Sequence, residues 1–403
     1  MSNATDLRSQ YGLRQVINVS GTMTGLGASI AVPQAIEAAA AILPHFVEID
    51  DLQRLASSII AKSCGSEAGY ITASCSAAIT LSIAATMTGD DPGLIERLPD
   101  TTGLKNEVVI QTGHLVNYGA PIDQAIRLSG ARVVAVGAAT EAHGYQLAAA
   151  INERTTAALY VVSHHTQHYG LVGFEEFVAT AHARGVPVIV DAASEYDLES
   201  FIARGAAVAL YSAHKFLGGL TAGIVAGKKP LIRAAWLQNG GIGRGFKVGK
   251  ESIAGAMAAL QAWAVRDHAQ VRERERGYLR LWKDGLTGLP GIRAAIDADP
   301  TGNPLERLRI QVDLAEARIS AWDLVDALAS PKAGERPVIA RDHEAELHFF
   351  FLDPCNLHPG EEHVVLERLK AELERAQRAA EPIVTPFGAR DAHRQAKRVR
   401  WPD

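Results

Sequence analysis

Short apolar runs alternate with amphipathic stretches from about residue 50 to residue 230. The runs at 68–72 (AGYIT), 107–111, 132–136, 157–163 (AALYVVS), 186–190 (VPVIV), 207–211 and 221–226 lack polar alternation. Such runs read as strands buried on both faces. Between them, 77–88, 121–129, 146–151 and 174–184 carry helical spacing, and Gly130 ends the second of these. Strands alternating with helices predict an α/β domain on a mostly parallel, seven-stranded sheet covered on both faces. Upstream, 16–27 (VINVSGTMTGLG) reads as a loop, Pro33 opens a helix to about residue 41, and Leu52, Leu55 and Ile59 mark a helix over 50–64. Downstream, 253–286 reads as one long helix crowded with charge, leading out of the large domain. From about residue 291 a smaller α+β unit is expected, with strands at 308–312, 338–340 and 346–352 and helices at 322–329 and 361–378. The predicted division is an N-terminal arm and helix (1–45), a large domain (46–286), and a small domain (287–382) with help from the N-terminal segment. A polar basic tail (383–403) follows, solvated or laid on a neighbouring subunit.

A length of 403 residues suits a large domain plus a smaller one. The formal charge of -5 offers no broad basic surface, so neither a nucleic-acid nor a membrane partner is expected. Cys64, Cys75 and Cys355 show no paired spacing. With no signal-like N-terminus and no run long enough for a membrane span, a cytoplasmic protein is expected.

The candidate chemistry sits at predicted strand ends. Ser212-Ala213-His214-Lys215-Phe216-Leu217-Gly218-Gly219 places a lysine just beyond a buried strand. Lysine is seldom buried there without a partner or a task, and a desolvated amine attacks carbonyls. The two glycines would let the backbone pass close to a bulky ligand, and the plain alternative is a surface lysine in a turn. Asp191 ends the apolar run VPVIVD, where open α/β sheets bind ligands. A carboxylate there needs a cation, and the pyridinium nitrogen of pyridoxal phosphate is one; capping the next helix is the alternative. The turn Thr72-Ala73-Ser74-Cys75-Ser76-Ala77-Ala78 enters a helix and suits a phosphate without a ribose, or an ordinary N-cap by Ser74 or Ser76. Neither GxGxxG nor GxxxxGK[ST] is present. His114, at another strand end, offers a flat ring to stack on a pyridine, or is a satisfied strand-end histidine. His164, His165 and His168 lie close in sequence, but no carboxylate or cysteine completes a ligand set, so no metal is expected; His165 is placed near cofactor or substrate. Residues 240–251 interleave glycine with Arg244, Lys247 and Lys250, a cationic loop for a phosphate or carboxylate, or a solvated one. Taken together in chain order, these are a phosphate cup, a ring stacker, a pyridinium partner and a Schiff-base lysine: one cofactor, pyridoxal 5′-phosphate.

These motifs resemble those of the fold-type-I pyridoxal-phosphate enzymes related to bacterial selenocysteine synthase. They are most similar to the branch that includes D-glucosaminate-6-phosphate ammonia-lyase. The resemblance spans about 11–374 and rests on VINVSGTMTGLG, LKNEVVIQTGHLVNYG, VPVIVDAASE, YSAHKFLGG with TAGIVAGKK, and IGRGFKVGKESIAG. It implies the aspartate-aminotransferase-like fold. It further implies Lys215 as the Schiff-base lysine, Asp191 on the pyridinium, a phosphate site around Ser74, Cys75 and Ser76 with Ser212, and active sites shared across a homodimer. His214 is placed with Lys215 in the cofactor set, and Arg244 and Lys247 at the substrate or a neighbouring subunit's site. Two features depart from the family: the turn Ala73-Ser74-Cys75-Ser76 is less rich in Gly and Ala, and Cys355 stands where relatives tend to carry arginine. Arg341 is the substitute candidate for a substrate carboxylate.

The expected reaction is α-proton removal by Lys215 from a small amino acid or amino sugar acid, then β-elimination with ammonia release. The ammonia-lyase outcome comes from the resemblance. Racemisation, epimerisation and aldol cleavage use the same residues and remain open. A tRNA-linked selenium transferase is disfavoured by charge and by a family core beginning near residue 11, and a non-catalytic binding relative by the intact Asp191–Lys215 pair.

Overall fold

The computed structural model describes residues 7–402. Its strands are β1 (Ile17–Val19), β2 (Ala68–Thr72), β3 (Glu107–Gln111), β4 (Arg132–Val136), β5 (Thr155–Val161), β6 (Val188–Asp191), β7 (Val208–Ser212), β8 (Gly223–Gly227), β9 (Ile292–Ala298), β10 (Glu306–Val312), β11 (Val338–Ala340) and β12 (Phe349–Leu352). The chain divides into two compact units: 30–266 with 300–303, and 7–29 with 267–299 and the residues from 304 onward.

The larger unit holds a seven-stranded sheet in the order β2-β8-β7-β6-β5-β3-β4. All pairs are parallel except those of β8, which runs antiparallel to both neighbours. Strands β2, β3, β6, β7 and β8 are buried along their whole length, as their unbroken apolar character requires. One apolar core lies on each face. The helix Cys75–Thr88 buries every residue except Ser76 and Thr86, so it has no solvent face and reads as apolar all round. It is well anchored, and its N-terminus points at the sheet edge discussed below.

In the smaller unit, β9, β10 and β12 form an antiparallel sheet, while β1 pairs in parallel with β11. Their apolar faces meet the helices His268–Leu286, Ala321–Ala329 and Glu361–Arg378 in one core. Arg307 is buried here between two carboxylates, donating from Nε to Asp353 and from Nη1 to Asp299, both at 2.8 Å. Burial opposes the guanidinium charge, but the two acids hold it on. Burial likewise favours neutral Asp353, and Arg307 outweighs it, so its carboxyl titrates below the usual range. Stability from Asp353 is therefore present above about pH 4 and is lost as pH falls through its native value. Arg307→Ala strands two buried acids. It is expected to lower unfolding free energy by about 3–5 kcal/mol, read by denaturant titration.

Several sequence expectations need correction. Residues 17–19 are a strand, not loop; three residues leave too short a period to show alternation. The long helix over 253–286 is two, Lys250–Val265 and His268–Leu286, because Asp267 caps the second by accepting from Gln270 N–H at 2.9 Å. The unit boundary falls at this break rather than at residue 286, and residues 30–45 belong to the larger unit. The basic tail contains a helix, Phe387–Val399, whose buried Arg390 bonds Asp326 and Asp342 at 2.7–3.0 Å. Its polar composition hid one anchoring face. No helix among the described residues is long and apolar enough to cross a membrane.

Candidate active site

Four neighbouring strands bring their ends together at one edge of the large sheet. Register pairs Thr72 with Gly223, Gly223 with Ser212, and Leu210 with Asp191. The carboxyl ends of β2, β6 and β7 thus open side by side, where doubly wound sheets bind ligands.

Asp191 is the deepest charge there, only 7% exposed. Its Oδ1 accepts from Cys75 Sγ at 3.4 Å and from Ala193 N–H at 3.2 Å. Both hydrogen bonds fall on that one oxygen, and Oδ2 takes none among the described residues. Burial raises its carboxyl above the usual range, and the charge of Lys215 pulls it partly back. Cys75 is buried as a neutral thiol, driven up by desolvation and then by Asp191. A buried carboxylate with one oxygen unclaimed fits a cationic ring N–H, as the sequence expectation requires.

Ser74 caps the helix Cys75–Thr88, accepting from Ala77 N–H at 3.1 Å. Its carbonyl takes Ala78 N–H, so the first-turn amides of Cys75 and Ser76 remain for an anion at the positive end of a long helix. Tyr118 donates to Ser76 Oγ at 3.0 Å. The turn lies hard against β8: a Cβ on Gly223 would come within 2.3 Å of Ser74 O and 2.9 Å of Cys75 N. Gly223→Ala must therefore push the turn outward. The expected result is a loss of about 1–3 kcal/mol in thermal or denaturant unfolding.

Lys215 lies half-buried on the loop after β7. Its Nζ donates to Ser194 Oγ at 2.6 Å. The charge of Lys215 is felt at Asp191, Cys75 and His214, which gathers three of the predicted residues around its amine. Ser212, at the end of β7, is near enough to Cys75 to favour its thiolate and joins the same group. Gly218 does not face a ligand as expected. It turns the chain at φ +65°, and a Cβ there would come 3.0 Å from Val32 Cγ1.

His114 is buried at the end of β3, where Nδ1 accepts from Val161 N–H at 3.2 Å. That bond puts the ring proton on Nε2. Burial, with the charge of His168, pushes its pKa down to about 4, so the ring is neutral. It meets Tyr160 edge-on at 4.5 Å. Its side-chain hydrogen bond and its ring contact are both with β5. His165 is exposed beside His164, and Arg244 and Lys247 are exposed on the loop before the helix Lys250–Val265. Arg341 belongs to the smaller unit, where its guanidinium is 7% exposed and its Nε buried without a hydrogen-bond partner.

Two residues at the Lys215 group went unnoticed in the sequence. Ser194 lies three places beyond Asp191 in VDAASE, and Tyr118 follows His114 in HLVNYG. Both sit in loops leaving strand ends, which is the signal that marked their neighbours.

Comparison with known proteins identifies the family. Residues 16–276 match the family described as SelA, L-seryl-tRNA selenium transferase. D-glucosaminate-6-phosphate ammonia lyase of Salmonella typhimurium is 37% identical over 371 residues, covering 92% of this chain and 99% of that one. A 5′-C-glycyluridine monooxygenase-decarboxylase from a Streptomyces species is 34% identical over 369 residues, 90% of each chain. A solved D-glucosaminate-6-phosphate ammonia-lyase superposes with a TM-score of 0.83 at 36% identity, covering 93% of this chain and all of that one. Aspartate aminotransferase from Thermus thermophilus, 17% identical, superposes at 0.52 over 93% of this chain and 94% of its own, which shows the fold alone, that of the fold-type-I enzymes.

Proposed function

Because the chain belongs to the L-seryl-tRNA selenium transferase (SelA) family, we propose that it is a pyridoxal-phosphate-dependent ammonia-lyase acting on an amino sugar acid or a related hydroxyamino acid. The observation that carries the reading is the buried carboxylate of Asp191, one oxygen unclaimed, beside the amine of Lys215. Lys215 would hold the cofactor covalently, Asp191 would pair with its ring nitrogen, and the first turn of the helix Cys75–Thr88, with Ser76 and Ser212, would take its phosphate. When bound, pyridoxal phosphate supplies an electron sink that acidifies the α-hydrogen of an attached amine.

The chain's own residues do the rest. With substrate in the site, the Lys215 amine would receive the α-proton at Nζ. Asp191 keeps a positive partner at the strand end and so maintains the pull on electrons. The β-hydroxyl would leave as water by taking that proton from Nζ, which returns Lys215 to the free amine, and hydrolysis of the resulting enamine gives a 2-oxo acid and ammonia. His114, uncharged, adds no charge at the end of β3 and is assigned to the ring's face. His165, Arg244 and Lys247 are assigned to the substrate's oxygens or carboxylate, in this subunit's site or its neighbour's. The substrate is a small molecule, and the setting is cytoplasmic, with Cys64, Cys75 and Cys355 as free thiols.

A second copy of the chain belongs to this reading. Ile36, Leu43, Phe46, Val47 and Leu55 are exposed close together in sequence, with Phe46 fully so. Large apolar side chains left in water mark an interface. Phe46→Glu is expected to shift the protein from dimer toward monomer in sedimentation velocity, with a Kd rise of about tenfold or more.

The test of function is ammonia release from D-glucosaminate 6-phosphate, D-glucosaminate and D- and L-hydroxyamino acids, alongside an absorbance spectrum. Ammonia formed in proportion to 2-oxo acid, with a visible band that borohydride removes, supports the reading. Oxygen uptake with carbon dioxide release in place of ammonia would move the chain toward its monooxygenase-decarboxylase relative.

A further inference from the structure

The loop leaving Asp191 is braced from far along the chain. Residues 300–303 pack within the larger unit although they lie between β9 and β10 in sequence. Asn303 Oδ1 accepts from Tyr196 N–H at 2.9 Å. Its Nδ2 donates to Ser194 O and to Glu195 Oε1, both at 3.3 Å, and to Thr301 Oγ1 at 3.0 Å. Thr301 Oγ1 in turn donates to Glu195 Oε1 at 3.1 Å. One amide thereby engages three consecutive residues, 194, 195 and 196, with both its donor and its acceptor ends. Glu195 is only 9% exposed, so its acceptance of these donors meets a real need. The first of the three, Ser194, is the residue whose hydroxyl takes the Lys215 N–H at 2.6 Å.

On the reading of Lys215 given above, we propose that Ser194 is a positioning residue that orients the Lys215 amine, and that Asn303, with Thr301 and Glu195, is the brace that fixes Ser194. The juxtaposition calls for such a device. A lysine stem has four rotatable carbons, and an amine that is free between covalent attachments can lie in many directions. Accepting one N–H holds Nζ in place and leaves its lone pair to face the reacting atom. After proton uptake the ammonium still donates to the same oxygen. Of the groups whose charge couples to Lys215, Asp191 and Cys75 sit on other elements and His214 beside it; none is hydrogen-bonded to Nζ. Among the described residues, Ser194 alone accepts from Nζ and so fixes its direction.

The experiment is the rate at which cofactor-free protein captures pyridoxal phosphate at Lys215. The amine condenses with the aldehyde, losing one water, and borohydride then fixes the bond for peptide mass spectrometry. Non-covalent affinity is measured separately in a Lys215→Ala background. Ser194→Ala is expected to slow capture about tenfold while leaving that affinity within about twofold, and Ser194→Thr, which keeps the hydroxyl, to restore the rate. Asn303→Ala is expected to slow capture in the same direction. Asn303→Asp keeps the acceptor for Tyr196 and removes the donors, and serves as the second variant where alanine prevents folding. In the loaded enzyme kcat falls with KM within about twofold. Capture by Ser194→Ala at the wild-type rate overturns the proposal and leaves the lyase reading standing. Absence of capture at Lys215 in the wild type overturns both.

Discussion

Lys215→Ala is expected to lower ammonia release by about 10⁴-fold, at the upper end of what a positioned proton-transfer group contributes. The size follows from two losses at one atom. The variant has no amine to hold the cofactor and no base at the α-hydrogen, so each turnover relies on water for proton removal. The fold should be spared. Lys215 is half-buried, its hydrogen bond ends on a serine hydroxyl, and the chain around it is secured by Gly218 N–H to Lys215 O at 3.0 Å, which alanine keeps. The apparent Tm should therefore move by no more than a few °C. Added methylamine should recover part of the rate, because a small amine can enter the space the side chain leaves and take the proton. The measurement is single-turnover ammonia release with and without methylamine. A variant that keeps even a tenth of the wild-type rate removes Lys215 from the centre of the reaction.

Much of this centre was legible in the sequence, because each component ends a strand. The β6 and β7 runs announce their own ends, and Asp191 and Lys215 are the chemical residues found there. Ser74 to Ser76 follow β2 for the same reason. Strand order was a different matter. Apolar character cannot say that β8 turns back between β2 and β7, nor that this puts Gly223 against Ser74. Asn303 was invisible because its meaning is wholly non-local: TGN between two strands reads as an ordinary turn. His114 shows a third limit. Its position at a strand end was readable, but its hydrogen bond to Val161 and its edge contact with Tyr160 depend on how β5 lies beside β3.

Asp191→Asn is expected to separate stability from activity. The side chain keeps its shape, and its carbonyl oxygen can still accept from Ala193 N–H and Cys75. What disappears is the charge. Catalysis should fall by about 10²–10³-fold, because a neutral amide no longer holds the ring nitrogen's proton and the electron sink weakens. Stability of the cofactor-free protein should move the other way. Burial raises the carboxyl of Asp191 despite the nearby charge of Lys215, so the native state binds this proton more tightly than the unfolded chain does. A group shifted in that direction contributes stability below its unfolded value near pH 4, and that contribution is lost as pH rises through the native value. At neutral pH the ionised carboxylate is thus a burden on the empty site, and Asn removes it. The variant without cofactor should melt a few °C higher than wild type at about pH 7, with the gap closing toward about pH 4. Saturation with pyridoxal phosphate should reverse the order, since only the carboxylate gains an ion pair on binding. Thermal melts at two pH values, with and without cofactor, distinguish this from a structural role. A variant that melts lower than wild type in every condition would show that Asp191 serves the fold through its hydrogen bonds rather than the reaction through its charge.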